Sequence, residues 1–444
     1  MALALGGDKL TSPAMRDYIA SVNASYSHWD DLRHRPPPAG LRPELAWQIV
    51  KLSRIGSRRP LPLLDTRGNP FTYCLPTRAQ ETLSAVDRWG GGALAVDGAA
   101  VPAFDQWKEQ VLVSSLMEEA IATSQIEGAA TTRKAAKEML RTNRRPRDRS
   151  EQMVVNSYRT IELLRDRKEQ RLSLELLYEI QASMTHDTLD DSSAAGRFRR
   201  AADDIAVVDV ETSAVLFTPP PADSLDARVK KLIQFTNESE KEWIHPLVKA
   251  SIIHFWLAYE HPFVDGNGRT ARALFYWFML KNGYWLFEFL TVSRAIAKSR
   301  QQYYRSFLYS EHDDCDLTYS LMYQLDATKK AFAALREYLR HKQEEQVQLA
   351  RTLRAFPELN HRQRELLDHA LRHPEQLYTF QSHQRSQGIT YVTARGDLLD
   401  LAARGLLTPT HQGRQRAFFA DESLAKKLRA RPRRMRHRIR RAAL

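Results

Sequence analysis

The sequence predicts a mainly α-helical protein, with a helical core interrupted by one β-hairpin and a separate small unit of three helices and two strands near the C-terminus. Three observations carry that prediction. From Phe104 to about Lys342 the apolar residues recur at helical spacing, as in WKEQVLVSSLMEEAIATSQIEG, SYRTIELLRDRKEQ, LSLELLYEIQASMTH and PLVKASIIHFWLAYEH. One stretch breaks that spacing: IAVVDVETSAVLFTPPP alternates apolar residues around a polar turn, the pattern of a β-hairpin. After Phe356 the periods shorten to NHRQRELLDHALRHP, YTFQSHQRSQG and ITYVTARGDLLDLAARGLL, and TPTHQGRQRAFFAD then reads as two strands around Gln412-Gly413.

The elements follow in order. Over residues 1–100 helix-like and extended patterns mix: Trp29, Leu32, Leu41, Leu45, Trp47 and Ile49 read as helical core, and RRPLPLLDTRGNPFTYCLP as a short hairpin with an Arg-Gly-Asn turn. This leading segment suggests no chemistry. WGGGALAVDGAAVP is glycine-rich and reads as a linker. The helical core, with its internal hairpin, runs over 101–345 and ends in the polar helical stretch REYLRHKQEEQVQLARTLRA. The small unit occupies 356–425, and a basic tail 426–444 closes the chain. At 444 residues, two to four domains are expected.

Composition narrows the function classes. With 43% hydrophobic and 27% charged residues the chain folds and is not a disordered polymer. No run approaches the ~20 apolar residues of a membrane span. MALALGGDKL is too short an apolar run, without a basic leader, for a secretory signal, so a cytoplasmic location away from membranes is expected. Cys74 and Cys315 suit a reducing compartment and cannot build a zinc cluster by themselves. Ten lysines and arginines and no acid lie between Lys426 and Leu444, which leaves only +3 of the net +13 for residues 1–425. Such a tail favours phosphate-rich partners in a salt-dependent way; a solvated tail that aids solubility is the alternative.

The segment HPFVDGNGRTAR, from His261 to Arg272, carries the chemistry. The helix before it stops at Pro262, which cannot continue a hydrogen-bonded helix. Gly266 and Gly268 allow a tight turn and close approach of backbone to a ligand. A second apolar helix begins at once, so a loop of small residues feeds a helix N-terminus, which is an anion site. Arg269 and Arg272, three apart, share a face of that first turn and suit a polyphosphate. Asp265 is a hard oxygen ligand beside those phosphates, suited to Mg²⁺ with water completing its shell. His261 is the one group in the segment that takes a proton near neutral pH.

This segment resembles the signature of the Fic (filamentation-induced-by-cAMP) family, HPFx[DE]GNGRxxR, at every defined position. The resemblance implies a Fic helical core with the motif in a helix–loop–helix, and transfer of AMP from ATP to a hydroxyl side chain (Ser, Thr or Tyr) of a target protein. It implies that His261 is the general base, that Phe263 anchors the loop, and that Asp265 holds Mg²⁺. It also implies that Gly266, Asn267 and Gly268 form the anion hole, with Arg269 on phosphate oxygens and Arg272 on the γ-phosphate. Glycine at 268 argues against the kinase-like branch that has lysine there; other members transfer other phosphate-containing groups.

Two further stretches fit the resemblance. The hairpin from Ile205 to Pro221, preceded by a Gly-x-x-Arg run at Gly196–Arg199, stands where the family has its flap; Val207, Val208 and Val210 would offer main-chain hydrogen bonds to a target segment. Thr123-Ser124-Gln125-Ile126-Glu127-Gly128 resembles the family's inhibitory motif [ST]xxxE[GN], with Thr123, Glu127 and Gly128 at its defined positions. Glu127 would pair with Arg272 and so misplace ATP. An ordinary helix end with Gly128 as its C-cap is the alternative.

The C-terminal unit looks like a winged helix-turn-helix. In it Thr390, Thr393, Arg395 and Arg414 would face DNA, although Asp397 and Asp400 on the third helix speak against that. Such units also serve as protein-interaction or dimer modules, so a homodimer stays open. Two other readings remain: a DNA-binding regulator whose core senses nucleotide, and a de-AMPylase in which Glu127 orients water. The intact His261 favours the transferase over the sensor.

Overall fold

The structure is a computed structural model that describes residues 12–430 except 91–94, 97–98, 101–103, 209–214, 239–241, 355, 357, 373–375, 413–414 and 421–423. Its contacts divide the chain into two compact units. One joins the described part of 1–95 to 110–335, and the other joins 96–109 to the described part of 336–444.

The first unit is helical, as expected. Its N-terminal helices α1 (Pro13–Ser25), α2 (Trp29–Leu32) and α3 (Pro43–Ile55) share a small core of Val22, Leu32, Trp47 and Val50. The predicted hairpin follows as β1 (Arg59–Leu64) and β2 (Pro70–Tyr73), antiparallel, closed by an Asp65 side chain that accepts the Arg67 and Asn69 N–H groups at 2.8 and 2.7 Å. After α4 (Thr77–Gly90), the described residues of the glycine-rich stretch form two-residue strands, β3 (Ala95–Val96) and β4 (Ala99–Ala100), where sequence composition suggested only a linker.

The long helix α5 (Phe104–Ile126) leads to α6 (Arg133–Thr142), α7 (Arg149–Asp166) and α8 (Leu174–Thr185). Their starts are set locally. Thr132, Asp148 and Ser173 each accept an N–H of the first turn on a side-chain oxygen, which supplies a bond the helix itself cannot. The interruption expected in the core is the antiparallel pair β5 (Val207–Val208) and β6 (Val215–Phe217), with Val207 opposite Phe217. Val210 lies outside the described residues.

After α9 (Leu225–Asn237) come the two motif helices, α10 (Pro246–Glu260) and α11 (Asn267–Lys281). Nearly every residue of both is buried, so their apolar residues are not confined to one stripe. They pack against each other, and α11 packs also on α7 and α8. The unit is completed by α12 (Val292–Ala297), α13 (Arg300–His312) and the start of α14 (Thr318–Arg354).

The second unit has its own core, built on Leu366, Leu367, Leu398, Leu401, Phe418 and Leu428. Chain order is α15 (His361–Arg372), β7 (Tyr378–Thr379), α16 (Phe380–Gln387), α17 (Tyr391–Ala403), β8 (Thr408–Gln412), β9 (Gln415–Phe419) and α18 (Leu424–Ala430), with sheet order β7-β9-β8. Three helices are thus followed by a two-stranded hairpin, the order of elements expected from the sequence. Arg414 and residues 431–444 of the tail lie outside the described residues.

Candidate active site

The motif loop is built by conformations that its sequence makes available. His261 ends α10 in the left-handed region at φ 46°, and Pro262 then blocks any continuation of the helix. Gly266 starts α11 at φ 84°, where a side chain would be strained, and a Cβ there would also lie 2.8 Å from Thr185 Cγ2. Between them Phe263 is fully buried against Phe198 at 5.8 Å, a burial that contributes about 1.5–3 kcal/mol. The Asn267 side chain braces the loop. Its amide oxygen accepts the Phe263 N–H at 2.9 Å and its amide nitrogen donates to the Phe263 carbonyl at 2.8 Å. The side chain is therefore spent on closing the loop, and only its backbone N–H is left for an anion.

The first N–H groups of α11 have no intrahelical partner, as in any helix, and carry its positive dipole end. Two buried guanidinium groups flank them. Arg269 donates to the Met184 carbonyl at 2.7 Å and to Asp265 at 3.2 Å, yet its Nε has no partner. Burial depresses its pKa while Asp265 and Glu127 push it back up. Arg272 donates from Nε to the Thr123 hydroxyl at 2.7 Å and from Nη2 to the Thr123 carbonyl at 3.1 Å and Glu127 at 2.8 Å; its Nη1 has no partner. Burial works against that charge, but Glu127 with Tyr303 and Tyr304 together outweigh it and lift the pKa above the ordinary range. Buried N–H groups without acceptors are costly.

Glu127 follows the last residue of α5, and Gly128 turns the chain at φ 93°. A carbon added to Gly268 would collide with the Glu127 carboxylate, so Thr123, Glu127, Gly268 and Arg272 form one constellation. The helix carrying Glu127 is tied down along its length. Glu118 pairs with Arg133 and Lys137. Buried Glu119 accepts from the Tyr276 hydroxyl at 2.7 Å and the Ser293 N–H at 3.1 Å. Ser124 bonds Ser157 at 3.0 Å.

His261 is half-buried, and burial lowers its pKa to about 4, with smaller opposing effects from the Ala258 carbonyl and Glu127. It is therefore neutral at pH 7. A neutral imidazole keeps one ring nitrogen able to accept a proton. The second histidine of α10, His254, is a core residue bonded to the Tyr303 hydroxyl at 3.0 Å. Asp265 is 40% exposed and accepts the Gly266 N–H at 2.6 Å, with Arg149 3.8 Å away. Among the described residues no cluster of three or more metal-ligating side chains exists. A cation at Asp265 would need ligand and water oxygens to complete its shell, which matches the habit of Mg²⁺.

The segment after β6 and the motif are joined by Arg199, which periodicity alone did not single out. It donates from Nε to the His261 carbonyl at 2.8 Å and from Nη2 to the Pro220 carbonyl, and its own N–H reaches the Pro262 carbonyl at 2.8 Å. Gln181 was missed altogether. Fully buried, it donates to the Asp265 carbonyl at 3.1 Å and accepts the Gly196 N–H at 2.6 Å. A glutamine on an apolar helix has no sequence signature that tells a loop clamp from a solvent-facing residue.

Comparison with known proteins agrees with this geometry. Residues 171–279 match the Fic/DOC family. Protein adenylyltransferase fic-1 of Caenorhabditis elegans is 32% identical over 108 residues, 23% of this chain and 21% of that protein. Protein adenylyltransferase Fic of Nematostella vectensis is 35% identical over 66 residues, 15% of this chain and 16% of that protein. The chain thus spans about a fifth or less of the length of these curated relatives. Among solved structures, a Fic family protein from Desulfovibrio desulfuricans G20 superposes with a TM-score of 0.50 at 19% identity, covering 77% of this chain and 94% of that one. A segment of Fic-1 from C. elegans also gives 0.50, at 17% identity over 77% and 91% of the two chains. The motif, the helix–loop–helix that presents it and these matches together identify residues 171–279 of this chain as a Fic/DOC-family domain.

Proposed function

We propose that the protein transfers AMP from ATP to a hydroxyl side chain of a target protein, and that Glu127 holds this activity down. The observation that carries the reading is the pair of unpartnered buried guanidinium nitrogens at the N-terminus of α11, beside a histidine that burial keeps neutral. In this reading the target segment lies along the β5–β6 hairpin, adding a strand through its main chain at Val207, Val208 and Val210. His261 accepts the proton of the target hydroxyl as its oxygen attacks the α-phosphorus. The bond from the α-phosphorus to the bridging oxygen breaks, and pyrophosphate leaves. The N–H groups of Asn267 and Gly268, with Arg269, hold the α- and β-phosphates; Arg272 holds the γ-phosphate. Asp265 would hold Mg²⁺, whose charge offsets that of the phosphates. Thr123 and Glu127 compete for Arg272, so a γ-phosphate cannot take its full bonding position and the α-phosphate is turned from the line of attack.

The test is labelling with α-labelled ATP and Mg²⁺. Wild-type protein should label itself and lysate proteins weakly, Glu127→Gly much more, and Glu127→Gly with Arg272→Ala not at all. Equal, low labelling of wild type and Glu127→Gly, with both folded and binding ATP, would reject inhibition by Glu127. A second reading, DNA binding by the C-terminal unit and the basic tail, is supported by the order of helices and wing in that unit. It is compatible with transfer by the core.

A further inference from the structure

Three residues on one face of α8, spaced i, i+3 and i+4, carry the motif loop. Gln181 donates to the Asp265 carbonyl at 3.1 Å, the Met184 carbonyl accepts from Arg269 at 2.7 Å, and Thr185 lies against Gly266. All three are fully buried. The last carbonyls of a helix have no partner within it, so the end of α8 has an acceptor to offer a buried guanidinium. Asn156 of α7 steadies that end by donating to the Met184 and His186 carbonyls at 3.4 and 2.6 Å. The same helix holds the run that leads to the β5–β6 hairpin. Gly196, at φ 68°, donates its N–H to the Gln181 side-chain oxygen at 2.6 Å, and Tyr178 meets Phe198 at 5.0 Å. Gln181 therefore bonds both segments at once. A carbonyl on one side and an N–H on the other admit one orientation of its amide.

We propose that Gln181 is a positioning residue for transfer: it fixes the Asp265 peptide, and with it the Asp265 carboxylate, relative to the chain that enters the hairpin. The proposal rests on the transfer reading given above, in which Asp265 faces the phosphates and the hairpin faces the target. Asp265 also accepts the Gly266 N–H at 2.6 Å, so a shift of its peptide would move the carboxylate and the start of α11 together. A side chain of the same length without donor or acceptor would strand a buried carbonyl and a buried N–H, each left with its desolvation penalty. The loop would then relax away from α8, and a misplacement of about 1 Å at a reacting group costs on the order of 10²-fold in rate.

The experiment uses the full chain, wild type and Glu127→Gly, with Gln181→Met and Gln181→His introduced into each. The methionine keeps the length and loses both bonds; a neutral imidazole keeps one donor and one acceptor. Circular dichroism checks the fold of every variant. Three quantities are measured: hydrogen exchange over residues 194–199, the Mg²⁺ concentration that gives half of the gain in affinity for α,β-methylene ATP, and the labelling rate at saturating ATP. In wild type the Mg²⁺-bound analogue should slow exchange over 194–199, although it binds on the other side of Gln181. Gln181→Met should abolish that slowing, raise the Mg²⁺ midpoint and, in the Glu127→Gly background, lower labelling about 5- to 150-fold. Gln181→His should recover part of each loss. No slowing in wild type would overturn the link between loop and hairpin, whether or not Gln181→Met folds. Labelling that falls only with the folded fraction, at an unchanged Mg²⁺ midpoint, would overturn positioning and make Gln181 a core residue. Slowing that depends on Gln181 in a protein that never labels would support the link and reject the transfer reading instead.

Discussion

His261 shows how one residue's chemistry is set by its surroundings. An unperturbed imidazole is half protonated near pH 6.5, but burial lowers this one to about 4. A base must be neutral to accept a proton, so labelling by the Glu127→Gly protein should stay level from pH 8 down to about 5 and fall only below that. A fall centred near 6.5 would mean that the titrating group is not this histidine. His261→Ala should lower transfer on the order of 10²–10⁴-fold and leave ATP binding in place, because in the proposed reaction the ring serves the hydroxyl and not the nucleotide. Near-normal labelling by that variant would remove His261 from the reaction. Glu119 is shifted the other way: burial raises its pKa to about 7, against the bonds from Ser293 and Tyr276. Its folded pKa therefore exceeds its unfolded one. The stability linked to it is fully present below about pH 4.5 and is lost as pH rises through 7. Glu119→Gln should flatten thermal stability over pH 5–8, and an unchanged profile would assign that slope elsewhere.

At the scale of elements, the site depends on side chains that tie one helix or hairpin to another. Arg228 on α9 is the clearest case. It donates to Glu260 at 2.6 Å and to the Leu64 carbonyl at the end of β1, and so joins the N-terminal hairpin to the last residue of α10 before His261. Glu260 is 1% exposed and also accepts from Trp256 at 3.0 Å. Burial raises its pKa despite Arg228. Arg228→Met would leave a buried carboxylate without its cation and should cost about 3–5 kcal/mol, read from the denaturant midpoint. Adding Glu260→Gln should recover much of that loss. Additive losses in the double variant would show that the two side chains act separately. The chain after β6 depends likewise on Arg199, whose guanidinium bridges the Pro220 and His261 carbonyls, so that segment and His261 share one anchor.

At the scale of the whole molecule, charge is the dominant asymmetry: most of the net +13 sits in the last nineteen residues. Phosphate contacts are blind to sequence, so deleting 426–444 should weaken binding to all DNA alike and flatten the dependence of log K on log salt. Unchanged retention of DNA after that deletion would reduce the tail to a solubility element. No described helix is long and apolar enough to cross a membrane.

The sequence by itself determined what depends on near neighbours. Periodicity placed the helices of the core, alternation placed the pair β5 and β6, and proline and glycine fixed the motif loop, because these are local steric and burial constraints. The twelve residues from His261 to Arg272 carried the chemistry of the site for the same reason. Only the tertiary structure decided which distant groups meet there. Glu127 reaches Arg272 across 145 residues and Gln181 reaches Asp265 across 84. The family resemblance implied the first pairing, and nothing in the sequence pointed to the second. The structure also buried Asp397 against Arg362, paired Asp400 with Arg404, and committed the Asn267 side chain to its own loop. A polar residue on a helix looks the same in sequence whether it faces water, a partner or a ligand. Its partner is chosen by how helices pack, which is a property of the whole core.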